Sequence, residues 1–345
     1  MKLLIITQKV DKNDSVLGFF HGWIVEFAKH CEKLTVICLY KGEYDLPENV
    51  KVLSLGKETG RSRLKYVFRF YKYIWKYRKD YDNVFVHMNH IYVVLGGTFW
   101  KILNKKIILW YNHISGSVSL NIALFFVNYI CFTSPFSYVA RKKIKKSRKM
   151  PAGIDTSIFF NKNIEREKNS ILCIGRISTI KNVDILIDAI KILDKQNLDF
   201  HVYIYGNSIE TDIKYFEKVK SDSDDLIKTG RIKFFDEVSN YKTPEIYNKC
   251  EIYVNMTNSG SLDKTVLEAM ACGCISIVSN ESYRKVLDDK FIFQERNVES
   301  FVESIKNAFN LVDFERDNYI KLNELYVRQN HSLNILVNNI FNILK

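Results

Sequence analysis

The sequence predicts an α/β protein made of two doubly wound parallel sheets in series. Three observations carry this expectation. Short apolar runs alternate with longer segments of helical spacing along nearly the whole chain. At 345 residues the chain is longer than one hydrophobic core usually holds, about 250–300 residues. The alternation breaks once, across residues 150–170, where Pro151, Gly153 and the polar run 161–169 interrupt it. The expected domains are residues 1–155 and 168–330, with a last helix over about 331–345.

In the first half, residues 2–7 are an apolar strand and 8–18 a polar loop. Residues 19–30 have helical spacing, with Phe20, Ile24, Phe27 and Ala28 on one side. Strands follow at 34–40 and 50–53, then a helix at 61–79 and a strand at 83–87. A helix at 92–103, strands at 106–111 and 130–133, and a helix starting near Ser134-Pro135 complete this half. Residues 117–136 are the nearest approach to a membrane span. They carry Asn121, Asn128 and Thr133 and read instead as a buried helix followed by a strand.

The second half alternates again. Strands are expected at 170–174, 200–205 and 232–235, with helices at 183–195, 210–221 and 244–249, the last opened by Pro244. Residues 252–256 are a strand, 257–264 a polar loop and 265–271 a helix stopped by Gly273, with another strand at 274–278. A strand at 291–293 and helices at 298–310 and 314–330 precede the final amphipathic helix, which carries Leu333, Ile335, Leu336, Ile340, Phe341 and Leu344.

A hydrophobic content of 47% and a charged content of 26% are ordinary for a soluble globular protein. The amino-terminal residues lack the pattern of a secretory signal. The seven cysteines, Cys31, Cys38, Cys131, Cys173, Cys250, Cys272 and Cys274, lie mostly on apolar segments and fit reduced thiols in the cytoplasm. Cys272-Gly-Cys274 has no partner pair at zinc-site spacing, so no metal site is expected. The net charge of +12 is uneven: residues 1–150 hold 26 Lys and Arg against 10 Asp and Glu, and the remainder 25 against 29. The basic half is therefore the one that suits an anionic partner.

The stretch 250–280 is where chemistry concentrates. A polar loop leading into a helix N-terminus presents unpaired N–H groups at the positive end of a helix dipole, which suits phosphate. Glu268, one turn into that helix, suits a ribose, because a carboxylate accepts from two hydroxyls. The residues TVLEAMACG resemble the second half of the nucleotide-sugar signature of GT-B glycosyltransferases, in particular the retaining family 4. That signature has two glutamates eight positions apart. The second is matched by Glu268, and the position of the first is Gly260. The segment GRISTIKNVDILIDA, residues 175–189, resembles the same family's donor-phosphate stretch, with Asn182 where a glycine is usual. PAGIDTSIF, from Pro151, resembles its interdomain connection.

The resemblance implies two Rossmann-like domains facing a central cleft, with the final helix packing back on the first. It implies transfer of a sugar from a nucleotide diphosphate sugar to a hydroxyl acceptor with retention, without a required metal or other cofactor. Arg176 and Lys181 would neutralise the donor diphosphate. The N–H groups of Thr265 and Val266, with the Thr265 hydroxyl and Lys264 nearby, would hold it, and Glu268 would hold the ribose. Asp263 would either contact the sugar in place of the missing glutamate or cap the helix behind it. In the first half, His113 resembles the family histidine near the transferring centre, and Gly18 the loop that approaches the donor phosphate. His87, Asn89 and His90 are further acceptor-side candidates.

Residues 61–79 carry Arg61, Arg63, Lys65, Arg69, Lys72, Lys76, Arg78 and Lys79, interleaved with Tyr66, Phe68, Phe70, Tyr71, Tyr73, Trp75 and Tyr77. Three readings stand. The helix docks on an anionic membrane surface, it is an amphipathic helix with a packed aromatic side, or, less in keeping with the rest, it binds nucleic acid. The first would place the protein in the cytoplasm, peripheral on the inner face of the membrane, with a lipid-linked or cell-surface glycan precursor as acceptor. The rivals to a transferase are a non-catalytic GT-B protein that binds nucleotide sugar or a partner, and a basic nucleic-acid-binding protein.

Overall fold

The computed structural model describes residues 1–60 and 62–345; Arg61, at one end of the basic stretch, lies outside the described residues. These divide into two compact units, Met1–Gly153 with Leu333–Lys345, and Ile154–Ser332.

The first unit runs β1 (Lys2–Val10), α1 (Phe19–Lys29), β2 (Lys33–Lys41), β3 (Val50–Ser54), α2 (Arg63–Lys76), β4 (Asn83–His87), α3 (Ile91–Ile102), β5 (Lys106–Trp110), α4 (Val118–Phe126), β6 (Tyr129–Phe132), α5 (Tyr138–Arg141) and β7 (Ser147–Lys149). Its described strands form one parallel sheet in the order β3-β2-β1-β4-β5-β6-β7. The order steps away from β1 in both directions, so helices cover both faces and the inner strands are apolar throughout. In β1, Ile5 pairs with Val36 on one side and Phe85 on the other. β1 runs past the expected residue 7, because Lys9 and Val10 still pair with Tyr40 and Lys41.

Three sequence expectations need correction here. Residues 134–137 form a turn, and the helix begins at Tyr138 behind Ser137, whose side chain accepts from the Ala140 N–H. β7 was not expected, because bases give no apolar signal. It pairs along β6 at the sheet edge, Ile130 to Ser147 and Phe132 to Lys149, where charge discourages pairing with another chain. The helix within 117–136 is not buried. α4 buries Leu120 and Ala123, while Val118 and Phe125 are 77% and 78% exposed.

The basic helix has mixed character. α2 buries Phe70 and Ile74, but Phe68 and Trp75 stay 70% and 60% exposed beside its lysines. Among the described residues, no helix is long and apolar enough to cross a membrane.

The second unit runs β8 (Glu167–Ile174), α6 (Val183–Lys195), β9 (His201–Tyr205), α7 (Ile213–Asp222), α8 (Asp224–Lys228), β10 (Ile232–Phe235), α9 (Thr243–Lys249), β11 (Cys250–Asn255), α10 (Lys264–Ala271), β12 (Ile275–Val278), α11 (Val298–Phe309) and α12 (Asp313–Asn330). Its parallel sheet has the order β10-β9-β8-β11-β12. Ile171, Leu186, Ile190, Val202 and Ile252 lie at the centre of its core. The expected strand at 291–293 is not one. Asp289–Phe291 is a single 3-10 turn, and Ile292 makes one isolated bridge to Val278. Phe291 and Phe293 are nonetheless buried, so their apolar signal reports core packing and not a ladder.

The last helix, α13 (Leu333–Leu344), belongs to the first unit. Leu336, Val337, Ile340 and Phe341 are buried with the apolar side of α1, and the Phe27 and Phe341 rings lie 5.9 Å apart. Lys106 Nζ donates to the Leu344 carbonyl at 2.8 Å.

Candidate functional site

In each sheet the strand order reverses once, between β1 and β4 in the first unit and between β8 and β11 in the second. Loops leaving the carboxyl ends of strands part at such a point and leave room for a ligand. In the second unit these are the loops after Ile174 and after Asn255, and the sequence-predicted donor residues sit on both.

Beyond β8 the chain passes Gly175 to Arg176, which is exposed and makes no hydrogen bond or ion pair among the described residues. The turn Thr179–Lys181 then leads into α6 through Asn182, whose φ of 50° and ψ of 44° are left-handed. Asparagine tolerates that region better than most residues, which explains how it stands where glycine is usual. Its side chain also ties the two loops together. Nδ2 donates to the Met256 carbonyl at 2.8 Å and to Asn258 Oδ1 at 3.0 Å, and Oδ1 accepts from Arg296 at 3.0 Å.

Lys181 does not stand free. Its ammonium forms an ion pair with Asp263, and the two side chains are 25% and 18% exposed. Asp263 also accepts from Asn255 Nδ2 at 3.0 Å and from the Thr257 hydroxyl at 3.3 Å. Burial pushes the Asp263 carboxyl upward, but the Lys181 charge and these hydrogen bonds outweigh it and hold its pKa below the ordinary value. Asp263 occupies the N-cap position of α10 but makes no side-chain cap. Asp263 therefore does not cap the helix behind it; its carboxylate pairs with Lys181.

α10 opens at Lys264. The Tyr253 hydroxyl donates to Thr265 Oγ1 at 2.7 Å, and Val266 is buried, with its N–H 3.3 Å from the Asp263 carbonyl. The helix ends at Gly273, φ 84°, in a two-bond motif: the Gly273 N–H meets the Met270 carbonyl at 3.2 Å and the Cys274 N–H the Ala269 carbonyl at 3.0 Å. Glu268 is 3% exposed, and Asn240 Nδ2 donates to its Oε1 at 3.0 Å. Burial raises its pKa, and it lowers that of Lys264, the cation facing it. Oε2 lies 3.5 Å from the Tyr247 hydroxyl, a long contact that leaves lone pairs for a further donor.

Gly260 places no carboxylate at its position. A carboxylate reaches the same loop from elsewhere, since the Ser259 N–H donates to Glu295 Oε1 at 2.6 Å. Sequence reasoning also missed Tyr253, Asn255, Asn240 and Tyr247. The tyrosines read as core residues, and Glu295 lies 36 positions from its partner.

In the first unit the candidates do not form one cluster. Gly18 is buried at the start of α1, and a Cβ there would fall 2.3 Å from the Asp14 carbonyl oxygen. Close packing explains this glycine. His113, past β5, is exposed, and its Nδ1 accepts from the Ser115 N–H at 3.1 Å, which leaves the proton on Nε2. His87 is buried at the end of β4 and stacks on Phe20 with ring centroids 4.1 Å apart. His90 Nε2 meets the Ser119 hydroxyl at 2.8 Å, and burial lowers its pKa. Between them Met88 has a φ of 65°, and the Asn89 N–H returns to the His87 carbonyl at 2.8 Å, a strained three-residue turn at the sheet's reversal point.

Among the described residues, no group of three or more His, Cys, Asp and Glu side chains is placed to hold a metal ion. The second unit thus offers two cations, a helix N-terminus and a deep acid at one strand edge. That set suits a polyphosphate joined to a polyhydroxylated group.

Residues 155–322 match the family described as glycosyl transferases group 1. Over 138 residues the chain is 33% identical to the capsular polysaccharide biosynthesis glycosyltransferase CapH of Staphylococcus aureus, covering 39% of this chain and 37% of that protein. Over 150 residues it is 24% identical to the mannosylfructose-phosphate synthase of Agrobacterium fabrum, covering 40% of this chain and 33% of that one. The match thus spans about a third of the length of each of these relatives. Among solved structures, HepE of Anabaena in complex with UDP and glucose superposes with a TM-score of 0.80 at 14% identity, over 100% of this chain and 99% of HepE. At that identity the likeness speaks for the fold alone, and that fold is GT-B.

Proposed function

We propose that this chain, which has the GT-B fold and resembles the group 1 glycosyltransferases over residues 155–322, transfers a sugar from a nucleoside diphosphate sugar to a hydroxyl acceptor. The observation that carries the reading is the convergence of Arg176, Lys181 and the first turn of α10 at the reversal point of the second sheet. The leaving group is a nucleoside diphosphate, and its growing charge needs cations and N–H groups in place beforehand. Arg176 spans two phosphate oxygens, Lys181 supplies a point charge, and the N–H groups of Thr265 and, on leaving the Asp263 carbonyl, Val266 complete the cradle. Glu268 takes the ribose hydroxyls. Retention and independence of a metal ion follow from the family resemblance, with front-side attack and donor phosphate taking the acceptor proton. HepE structures hold UDP, glucose and UDP-glucose, which makes UDP the first nucleotide to try.

The acceptor side is read from the first unit. Its basic residues, with Phe68 and Trp75 exposed on α2, support docking on an anionic membrane surface and an acceptor that is lipid-linked or a cell-surface glycan precursor. His113, with its Nε2–H outward, is the first-unit side chain proposed to act near the transferring centre.

The test is a thermal-shift screen with UDP, GDP, ADP and CMP and their sugar conjugates, since a ligand stabilises the state it binds. A selective shift lost in Arg176→Ala supports the reading; Arg176 has no protein partner among the described residues, so that variant keeps its stability. No shift from a cooperatively melting protein refutes it. A second reading, a binder without transferase activity, rests on Gly260 and on the engagement of Asp263 by Lys181. Nucleotide-sugar binding with neither hydrolysis nor transfer above background would favour it.

A further inference from the structure

Between the first turns of α2 and the start of α3 the first unit carries an open groove of about 850 Å³. Its floor is buried Phe70 and Tyr92, and its walls include Leu39, Val67 and Leu95. Lys57 and Arg63 line it as exposed cations, and no carboxylate among the described residues lines it. A second, smaller groove of about 420 Å³ lies along the same pair of helices, lined by Phe68, Tyr71, Ile74, Trp75 and Phe99 with Lys72. The two make a largely apolar track, with Lys57 and Arg63 at one end and Lys72 beside the other groove.

The track begins at the ligand-binding edge of the sheet. Leu39 is near the carboxyl end of β2, Lys57 follows β3, and Asn89, which also lines the groove, follows β4 and the strained turn at Met88. Ligands of open α/β sheets collect at this edge.

The lining selects its occupant. A free sugar phosphate would satisfy the cations but gain nothing from the aromatic walls. A neutral apolar ligand would fill the walls and leave Lys57 and Arg63 unused. A nucleic acid would need more cations and less aliphatic surface. A single long apolar chain ending in a phosphate uses both. We propose that this groove binds the phosphate-proximal part of a single-chain lipid phosphate, the anchor of the acceptor glycan. The use of that anchor as acceptor rests on the transferase reading; the binding itself does not.

The experiment is calorimetric titration of the full chain with farnesyl monophosphate below its micelle concentration, beside farnesol and inorganic phosphate. The expected result is saturable one-to-one binding, about tenfold weaker in Val67→Trp, which fills the groove, and several-fold weaker in Arg63→Glu. Arg63 is on the surface, so its variant reads out the site even where the filled groove disturbs folding. Three results would overturn the proposal. They are no saturable binding, equal affinity for farnesol, or binding confined to anionic vesicles and unchanged in Arg63→Glu and Val67→Trp. The last would leave the aromatics and bases with the bilayer-surface role alone. The nucleotide screen, run on the same preparation, keeps the two readings apart. A nucleotide shift without farnesyl phosphate binding removes the groove alone, and the converse removes the donor site alone.

Discussion

Lys181 and Asp263 are paired across the reversal point of the second sheet, a cation from the loop after β8 and a carboxylate from the loop after β11. A diphosphate placed there must compete with the carboxylate for the ammonium. Asp263→Asn is therefore expected to tighten UDP binding several-fold, while Lys181→Ala weakens it about tenfold. Titration calorimetry measures both. Unchanged affinity in Asp263→Asn would mean that Lys181 does not exchange partners.

The same pair gives a pH signature. The folded state holds Asp263 below its ordinary value of 3.8, so it favours the ionised form. The resulting stability is present above that value and is lost as pH falls through the folded pKa. Wild type should exceed Asp263→Asn by about 1–2 kcal/mol at pH 7, with the gap closing in acid below pH 4. Urea unfolding of both proteins at pH 7 and pH 3 measures this, and a gap that persists at pH 3 would assign it to packing.

Glu268 has the opposite sign. Burial raises its folded pKa above the ordinary 4.5, so the native state holds the proton more tightly than the unfolded chain does. Stability from this group is intact below that value and falls as pH rises through the folded pKa. Glu268→Gln removes the loss. Relative to wild type, it should gain melting temperature between pH 5 and pH 8 while its affinity for UDP drops about tenfold. A variant that loses stability equally at both pH values would show the acid to be structural.

Glu295 holds the loop that carries Gly260 through the Ser259 N–H. Glu295→Ala should lower the transfer rate by about tenfold or more and leave UDP affinity nearly unchanged, because that loop faces the sugar and not the diphosphate in the proposed site. Separate determination of kcat and the UDP Kd decides it. An equal loss in both would place the loop against the nucleotide.

Both sheets were legible in the sequence because doubly wound strands are apolar on both faces, and such runs stand out against the helices between them. β7 was invisible for the converse reason, since an edge strand of serine, arginine and lysine carries no burial signal. Phe291 and Phe293 misled because core burial imitates a strand over so short a span. In the second unit, motif spacing singled out Arg176, Lys181 and Glu268 as candidates. It did not reveal that Lys181 pairs with Asp263, 82 positions away, nor that Tyr253 and Asn255 brace the start of α10. Those relations depend on two loops meeting in space. The exposure of α4 was hidden too, because an apolar helix reads the same whether it faces a core or solvent.

The docking of α13 on α1 has a consequence for synthesis. The apolar side of α1, with Phe27 at its centre, is made early, and the helix that covers it emerges only after the whole of Ile154–Ser332. At about 5–20 residues per second that is a delay of roughly 10–40 s. During this interval the first unit shows an uncovered greasy strip to the ribosome exit and to chaperones. Although it is begun first, the first unit is therefore completed last. Mutations in α13 should show first as lost yield in the cell, before any change in the chemistry of the finished protein.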